Sequence, residues 1–497
     1  MGNIVISILP GPEAERKVVM SVIEAAGIET GPKPAEILAL QREAFLRAGA
    51  PDLAERKDDI RRLRAAIKQE AERIASVISE DFGNRSRYET SLADIWPVLA
   101  SARETLKHLA RWMKPKSVGV GLELMPGRAR ILYQPVGVVG IISPWNYPIQ
   151  LALMPLIAAL AAGNRVMLKP SELTPRTSEF LADFLGRLFP EEKVATILGG
   201  PEVGAAFSAL PFDHLFYTGS TEIGRRVMRA AAENLTPVTL ELGGKSPCII
   251  GRDAALPAAA ESIASGKLLN AGQTCIAPDY ILVPEDIRDS FVGLIREAVT
   301  RLYPSLAANR DYTSIINARH YGRITRYIEE ARQRGTRVVE INPAGEALSP
   351  QERKIAPTLL LDPADDLLVM REEIFGPVLP IKSYHTLDEA IDYVNSRPRP
   401  LALYYFGRDT AERDKVLERT TSGGASINET LMHVVVENLP FGGIGPSSMG
   451  AYHGEYGFQT FSHRKGVFLQ SRYNAASLLR PPYSKFADAM KKILLSR

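Results

Sequence analysis

Cysteine is almost missing from this 497-residue chain: Cys248 and Cys275 are its only two thiols. Two cysteines give no disulfide framework, so a reducing, cytoplasmic setting is the expected compartment. Histidine is scarce as well. The seven histidines form no His-Glu-x-x-His pattern and neither cysteine belongs to a Cys-x-x-Cys pair, so no metal is expected. Long hydrophobic runs are lacking: the longest, Ile149 to Ala162, includes Gln150 and falls short of the roughly 20 residues that a membrane span needs. It reads as a buried helix, and no membrane partner is expected. The opening Met1-Gly-Asn-Ile-Val-Ile-Ser7 has no basic leader region and no Ser or Thr at position 6, as myristoylation requires. A net charge of +3, from 60 basic and 57 acidic residues, gives no electrostatic reason to expect nucleic acid.

What is present is ordinary globular composition, 45% hydrophobic and 24% charged, in a chain long enough for two or three packed units. From Pro51 to Gly83 the pattern is helical, with Asp52 and Glu55 as a capping-box-like start and Gly83 as the stop. Ile60, Leu63, Ile67, Ile74 and Ile78 share one face. A second helical stretch runs from about Glu89 to Lys114 and ends at Pro115. Between Gly137 and Glu241 short apolar strands (137–142, 165–169, 194–198, 214–218, 238–241) alternate with helices, one of them opened by Pro175. That alternation implies an α/β fold with a mostly parallel sheet, binding ligands beyond the carboxyl ends of its strands. A second alternating unit follows from Gly244 to about Phe406.

Two segments carry the chemistry: Glu241-Leu-Gly-Gly-Lys-Ser-Pro247 and Gly272-Gln-Thr-Cys275. A thiolate can add to a carbonyl carbon, and a carboxylate can activate the water that later frees the acyl group. A lone Glu and a lone Cys at such spacing also fit a salt-bridged strand end and an inert core thiol. The glycines beside both favour tight bends or close approach of a ligand. Thr218-Gly-Ser-Thr-Glu-Ile-Gly224 leaves a strand and enters a helix, whose free N–H groups suit a pyrophosphate. Its Gly219-x-x-x-x-Gly224 spacing departs from the G-x-G-x-x-G fingerprint, so on spacing alone a structural turn is the better reading.

With Pro144-Trp-Asn-Tyr-Pro148, Leu168-Lys-Pro-Ser-Glu172, Glu372-Glu-Ile-Phe-Gly-Pro-Val378 and Pro440-Phe-Gly-Gly443, these segments resemble the NAD(P)-dependent aldehyde dehydrogenase superfamily from about Leu38 to about Phe468. Asn428-Glu-Thr-Leu-Met-His433 is similar to its class 3 branch. Trp112-Met-Lys-Pro115, the run from Gly127 to Pro148 and Arg480-Pro-Pro-Tyr483 are most similar to bacterial coniferyl aldehyde dehydrogenases. The resemblance implies a Rossmann-like cofactor domain, an α/β catalytic domain and a small bridging β-sheet. It implies that Cys275 is the nucleophile, that Glu241 activates the hydrolytic water, and that the Asn146 amide joins the Cys275 N–H in stabilising the oxyanion. It also implies a cofactor site of Ile142, Trp145, Lys169, Glu172, Gly219, Ser220, Gly224, Glu373 and Phe375. Lys169 and Glu172 would hold the adenosine ribose, Ser220 the pyrophosphate and Glu373 the nicotinamide ribose, with Phe375 packed beside it. A carboxylate at Glu172 accepts from free ribose hydroxyls and repels a 2′-phosphate, which favours NAD, although class 3 relatives with this Glu also use NADP.

The implied layout is a segment of unassigned role over 1–34 and an NAD-binding domain over 35–244 that lends 121–135 to the bridging sheet. A catalytic domain over 245–427, a return over 428–458, and a bridging strand with a tail over 459–497 complete it. Cys248 is expected in the core, and His433 in a structural hydrogen bond at the substrate funnel. The tail helix around Phe486 to Leu495 is expected to dock on the protein's own surface, and the class 3 resemblance implies a homodimer. The substrate would be an aromatic aldehyde such as coniferyl aldehyde, or a medium-chain aliphatic one. Two other readings are a coenzyme A-acylating relative, which generally lacks a carboxylate at the Glu241 position, and a non-catalytic binding protein on the same scaffold.

Overall fold

Two parallel sheets meet through a short stretch of chain, and the strands that build them are apolar almost throughout. The computed structural model describes residues 34–121, 124–473, 477 and 480–496; the segment of unassigned role lies, up to residue 33, outside them. The first sheet orders its strands Ser448–Met449, Val238–Glu241, His214–Thr218, Val138–Ile142, Arg165–Lys169 and Val194–Thr196. All neighbours run parallel except Ser448–Met449, which is antiparallel to Val238–Glu241. Val139, Ile141, Val166, Leu168 and Phe216 are fully buried, as expected of strands covered on both faces. The second sheet has seven strands, from Arg337–Glu340 through Tyr280–Pro284 and Pro247–Ile250 to Gly424–Ile427, and only the Arg337–Glu340 edge is antiparallel. The α/β expectation therefore holds.

The third sheet pairs Arg128–Pro135 with Ser462–Leu469 along eight residues and adds Lys116–Val118. The first two strands were expected from the sequence. The third, three exposed residues long, has too little alternation to be read.

The helix expected over 51–83 is two helices, Leu53–Gln69 and Ala71–Phe82, broken at Glu70. Asp52 caps the first by accepting from the Glu55 N–H at 2.9 Å, and Gly83, at φ 80°, ends the second. Ile60, Leu63, Ile67, Ile74 and Ile78 are all fully buried. The stretch expected from Glu89 to Lys114 contains a π turn, Thr90–Ile95, ahead of the helix Trp96–Trp112. Pro97 sits at the start of that helix and lacks an N–H, so the preceding ladder cannot continue in regular α register.

The tail departs from expectation. In the helix Lys485–Leu495 only Ala487 is buried, while Phe486 is 52% and Ile493 50% exposed. Its apolar face is thus not covered by the protein's own surface.

The core of the first sheet tests this description. Ile141→Ala should lower unfolding free energy by about 2–5 kcal/mol, because a fully buried aliphatic chain leaves a cavity between two covered faces. Reversible urea unfolding reads the shift, and an unchanged midpoint would mean the sheet is not packed as described.

Candidate active site

Ile142, Lys169 and Glu241 each end a strand of the first sheet, and Gly219 directly follows another. Ile142 is in register with Lys169 and Tyr217, and Thr218 with Glu241. Four adjacent parallel strands thus deliver four of the expected site residues to one edge, where such sheets bind ligands. The Gly219 N–H donates to the Glu241 carbonyl at 2.9 Å, which ties the cofactor turn to the carboxylate-bearing strand.

Glu241 is 2% exposed. Among the described residues no well-aligned hydrogen bond reaches either carboxylate oxygen. Burial pushes its pKa well above the usual carboxylate range, opposed only in part by the nearby Ser448 hydroxyl, which donates to the Leu240 carbonyl at 2.6 Å.

Cys275 follows an unusual turn. Asn270, Ala271 and Gly272 lie in succession in the left-handed region, at φ 53°, 52° and 77°. For the two non-glycine residues this costs on the order of 1–3 kcal/mol each and persists only where the surroundings enforce it. They do so here. The Asn270 N–H donates to Glu89 Oε1 at 3.1 Å, and its Nδ2 donates to the carbonyls of Asn146 at 3.0 Å and Gln273 at 3.2 Å. The fully buried Gln273 side chain donates to the carbonyls of Asn270 and Ser314 and accepts from the Ile316 N–H. Burial, then the negative charges of Glu373 and Glu241, push the Cys275 thiol up to about 12; the backbone N–H groups of Cys275 and Ile276 oppose this. Asn146, 3% exposed, donates its amide to the Gln273 carbonyl at 3.2 Å, two residues before Cys275. Cys275, Glu241 and Asn146 therefore converge.

The cofactor residues form two groups. Trp145 and Phe375 pack edge to face at 5.4 Å between centroids. Glu373 lies against Gly243, where any Cβ would collide with its carboxylate. Burial and then the charge of Asp279 lift Glu373 to about 8, while the Gly244 N–H pulls it down, and its Oε1 is buried without a hydrogen-bond partner among the described residues. Glu373 lies near enough to Cys275 for its charge to act on the thiol. Lys169, Glu172 and Ser220 form the other group. Lys169 is 3% exposed and pairs with Glu172 at 3.0 Å. Ser220 caps the helix Thr221–Ala232 by accepting from the Ile223 N–H, and Gly224 lets that helix approach Leu242, whose Cδ2 would sit 2.6 Å from an added Cβ. A helix N-terminus for phosphates, a carboxylate at the strand ends for ribose, and the orphaned Glu373 oxygen fit a dinucleotide.

Cys248 is fully buried, as expected, and His433 Nδ1 shares a hydrogen bond with the Ser426 hydroxyl at 3.0 Å. Sequence reading missed Glu89, which holds the turn at Asn270, and Arg85, Asp94 and Asn270, which hold the segment from Asn146 to Gln150. It also missed Lys267, whose Nζ is buried without a hydrogen bond and which burial lowers to about 8. Asn270 could have been found from its place two residues before Gly272. Arg85, in Asn84-Arg85-Ser86, had no motif to mark it.

Residues 32–467 match the model of the aldehyde dehydrogenase family. The coniferyl aldehyde dehydrogenase of Pseudomonas sp. strain HR199 is 50% identical over 481 residues, spanning 96% of this chain and 99% of that protein. Aldehyde dehydrogenase family 3 member A2 of Pongo abelii is 41% identical over 92% of this chain and 93% of its own. A solved structure described as a substrate-bound state of Staphylococcus aureus AldH superposes with a TM-score of 0.87 at 39% identity, covering 92% of this chain and 99% of that one. Together with the strand-end site, these likenesses place the chain: it belongs to the aldehyde dehydrogenase family, in its class 3 branch, and is an enzyme.

Proposed function

We propose that this enzyme oxidises an aldehyde to its carboxylic acid with NAD(P), using Cys275 as nucleophile, Glu241 as base and Asn146 as oxyanion donor. The observation that carries the reading is the convergence of these three side chains where the two parallel sheets meet. When bound, NAD(P) supplies a positively charged hydride acceptor. Lys169 and Glu172 would hold its adenosine ribose, Ser220 in the turn from Gly219 to Gly224 its pyrophosphate, and Glu373 its second ribose, with Ile142, Trp145 and Phe375 lining the site. Glu172 accepts from ribose hydroxyls and favours NAD over NADP.

Cys275 Sγ gives its proton to water and bonds the aldehyde carbon, and the carbonyl electron pair moves to oxygen. The Asn146 amide and the Cys275 N–H donate to that oxyanion; losing one such donor costs roughly 3–4 kcal/mol in the barrier. Collapse of the oxyanion releases hydride and leaves a thioester on Cys275. Glu241 then takes a proton from the water that attacks the thioester, and the sulfur leaves as the acid forms. The carboxylate at Glu241 favours hydrolysis over transfer to coenzyme A.

The coniferyl-type relative supports an aromatic aldehyde as substrate. The domain limits proposed are 35–244 for the cofactor unit and 245–427 for the catalytic unit, with 428–458 returning to the first and 459–497 as bridging strand and tail. We also read the working form as a cytoplasmic homodimer. Val118 and Phe468, on outer strands of the three-stranded sheet, are 44% and 45% exposed, which suits a surface for a second copy. No helix among the described residues is long and apolar enough to cross a membrane.

NADH formation from coniferyl aldehyde without coenzyme A is the first test. Cys275→Ser should abolish turnover while NAD affinity and melting temperature hold, since an alcohol is much less acidic than a thiol and no His-based dyad is there to activate it. Turnover by the folded variant would sink the assignment. Glu241→Gln should give a burst of about one NADH per site and then slow hydrolysis, because an amide cannot take the water's proton; undiminished steady-state hydrolysis would point to another base. Light scattering should report twice the chain mass, and a stable monomer or tetramer would refute the dimer.

A further inference from the structure

Arg85 is among the largest fully buried side chains in the molecule, and its guanidinium is completely enclosed. An enclosed guanidinium stays charged and is tolerated only with close partners. Its Nη1 donates to the Asn146 carbonyl at 2.7 Å, and its Nη2 pairs with Asp94 at 2.9 Å. The rings of Phe82 and Tyr147 lie 5.0 and 4.8 Å from its central carbon, and the Tyr147 hydroxyl shares a hydrogen bond of 2.6 Å with Thr274, next to Cys275.

Asp94, within the π turn, accepts with Oδ1 from the N–H groups of Ile149 and Gln150, both at 3.1 Å. One Arg–Asp pair therefore grips 146–150 at the carbonyl of Asn146, the ring of Tyr147 and the start of the helix Gln150–Ala162. Asn270 Nδ2 donates to the same Asn146 carbonyl at 3.0 Å, so two donors from different segments fix it.

We propose that Arg85 is a positioning residue for the oxyanion site: its fork spans Asp94 and the Asn146 carbonyl and thereby sets where the Asn146 amide points. A fold anchor alone would need the Asp94 pair and the aromatic faces, whereas the bond to the carbonyl of Asn146 acts on the placement of a reacting group. Lysine keeps the charge but cannot span both partners with a rigid fork. The inference rests on the role given to Asn146 under the proposed function.

The experiment is a double-mutant cycle of Arg85→Lys with Asn146→Ala, in the full-length enzyme with NAD and an aromatic aldehyde. Arg85→Lys should lower kcat about 10- to 100-fold, as a misplaced donor does, with KM for NAD changed by less than about twofold. In the Asn146→Ala background the same change should cost almost nothing further, since no amide remains to be misplaced. Independent, multiplying losses, or a folded Arg85→Lys enzyme with unchanged kcat, would overturn the inference. Should Arg85→Lys fail to fold, Asp94→Asn replaces it in the same cycle with the same expected coupling. If Asn146→Ala alone leaves kcat intact, the oxyanion reading itself fails; if it alone collapses kcat while Arg85→Lys is inert, only the present inference does.

Discussion

Residues 242–246 carry the chain from the strand Val238–Glu241 of one parallel sheet straight into Pro247–Ile250 of the other, and this crossing sets how the sheets meet. The Leu242 N–H donates to the Ser447 carbonyl at 3.2 Å. Lys245 Nζ is bound by the Asp279 carboxylate and by the carbonyls of Val369 at 2.8 Å and Glu372 at 2.9 Å. Asp279 donates its N–H to the Ser246 carbonyl and accepts from the Ile374 N–H. The crossing thus clamps the approach to the strand Tyr280–Pro284 and the segment bearing Glu373. Asp279 is 3% exposed, and removing one partner of such an enclosed pair costs about 3–5 kcal/mol. Glu241 stands at the start of the clamp and Cys275 just before its far side, so their relative placement follows from it.

Burial then determines what these groups are chemically. Cys275 and Glu241 both lie where the charged form is penalised, and the negative charges of Glu373 and Glu241 work further against the Cys275 thiolate. The thiol is the resting form of Cys275 that follows, and burial disfavours the carboxylate form of Glu241. Reactivity therefore depends on charge brought into the site and on fixed donors, namely the N–H groups at Cys275 and Ile276 and the Asn146 amide. The left-handed turn at Asn270 and Ala271 holds those donors in place, and the hydrogen bonds of Glu89, Gln273 and Asn146 offset its strain.

Much of this was legible in the sequence because it depends on residues close along the chain. The five parallel strands of the first sheet read as apolar runs, Asp52 and Gly83 marked helix ends, and Cys275 and Glu241 stood in glycine-rich segments. What was not legible depends on contacts between distant segments. Arg85 meets Asn146 across 61 positions, and nothing near it in sequence announces that. The break at Glu70 leaves the hydrophobic periodicity intact, so the periodicity could not show it. The tail helix has the apolar spacing of a docked helix, yet spacing does not say what covers it, and the fold leaves Phe486 and Ile493 exposed.

The claim that burial keeps Cys275 a protonated thiol in the enzyme without cofactor can be measured directly. The rate of iodoacetamide alkylation at Cys275, assigned by peptide mass spectrometry to separate it from Cys248, should be followed as pH rises. The account predicts slow labelling at neutral pH that climbs without levelling well past the ordinary thiol value of about 8.5, and faster labelling once Glu373→Gln removes the first of the two opposing charges at pH above about 8, where Glu373 is ionised. A plateau reached below about pH 8, with no response to Glu373→Gln, would contradict it.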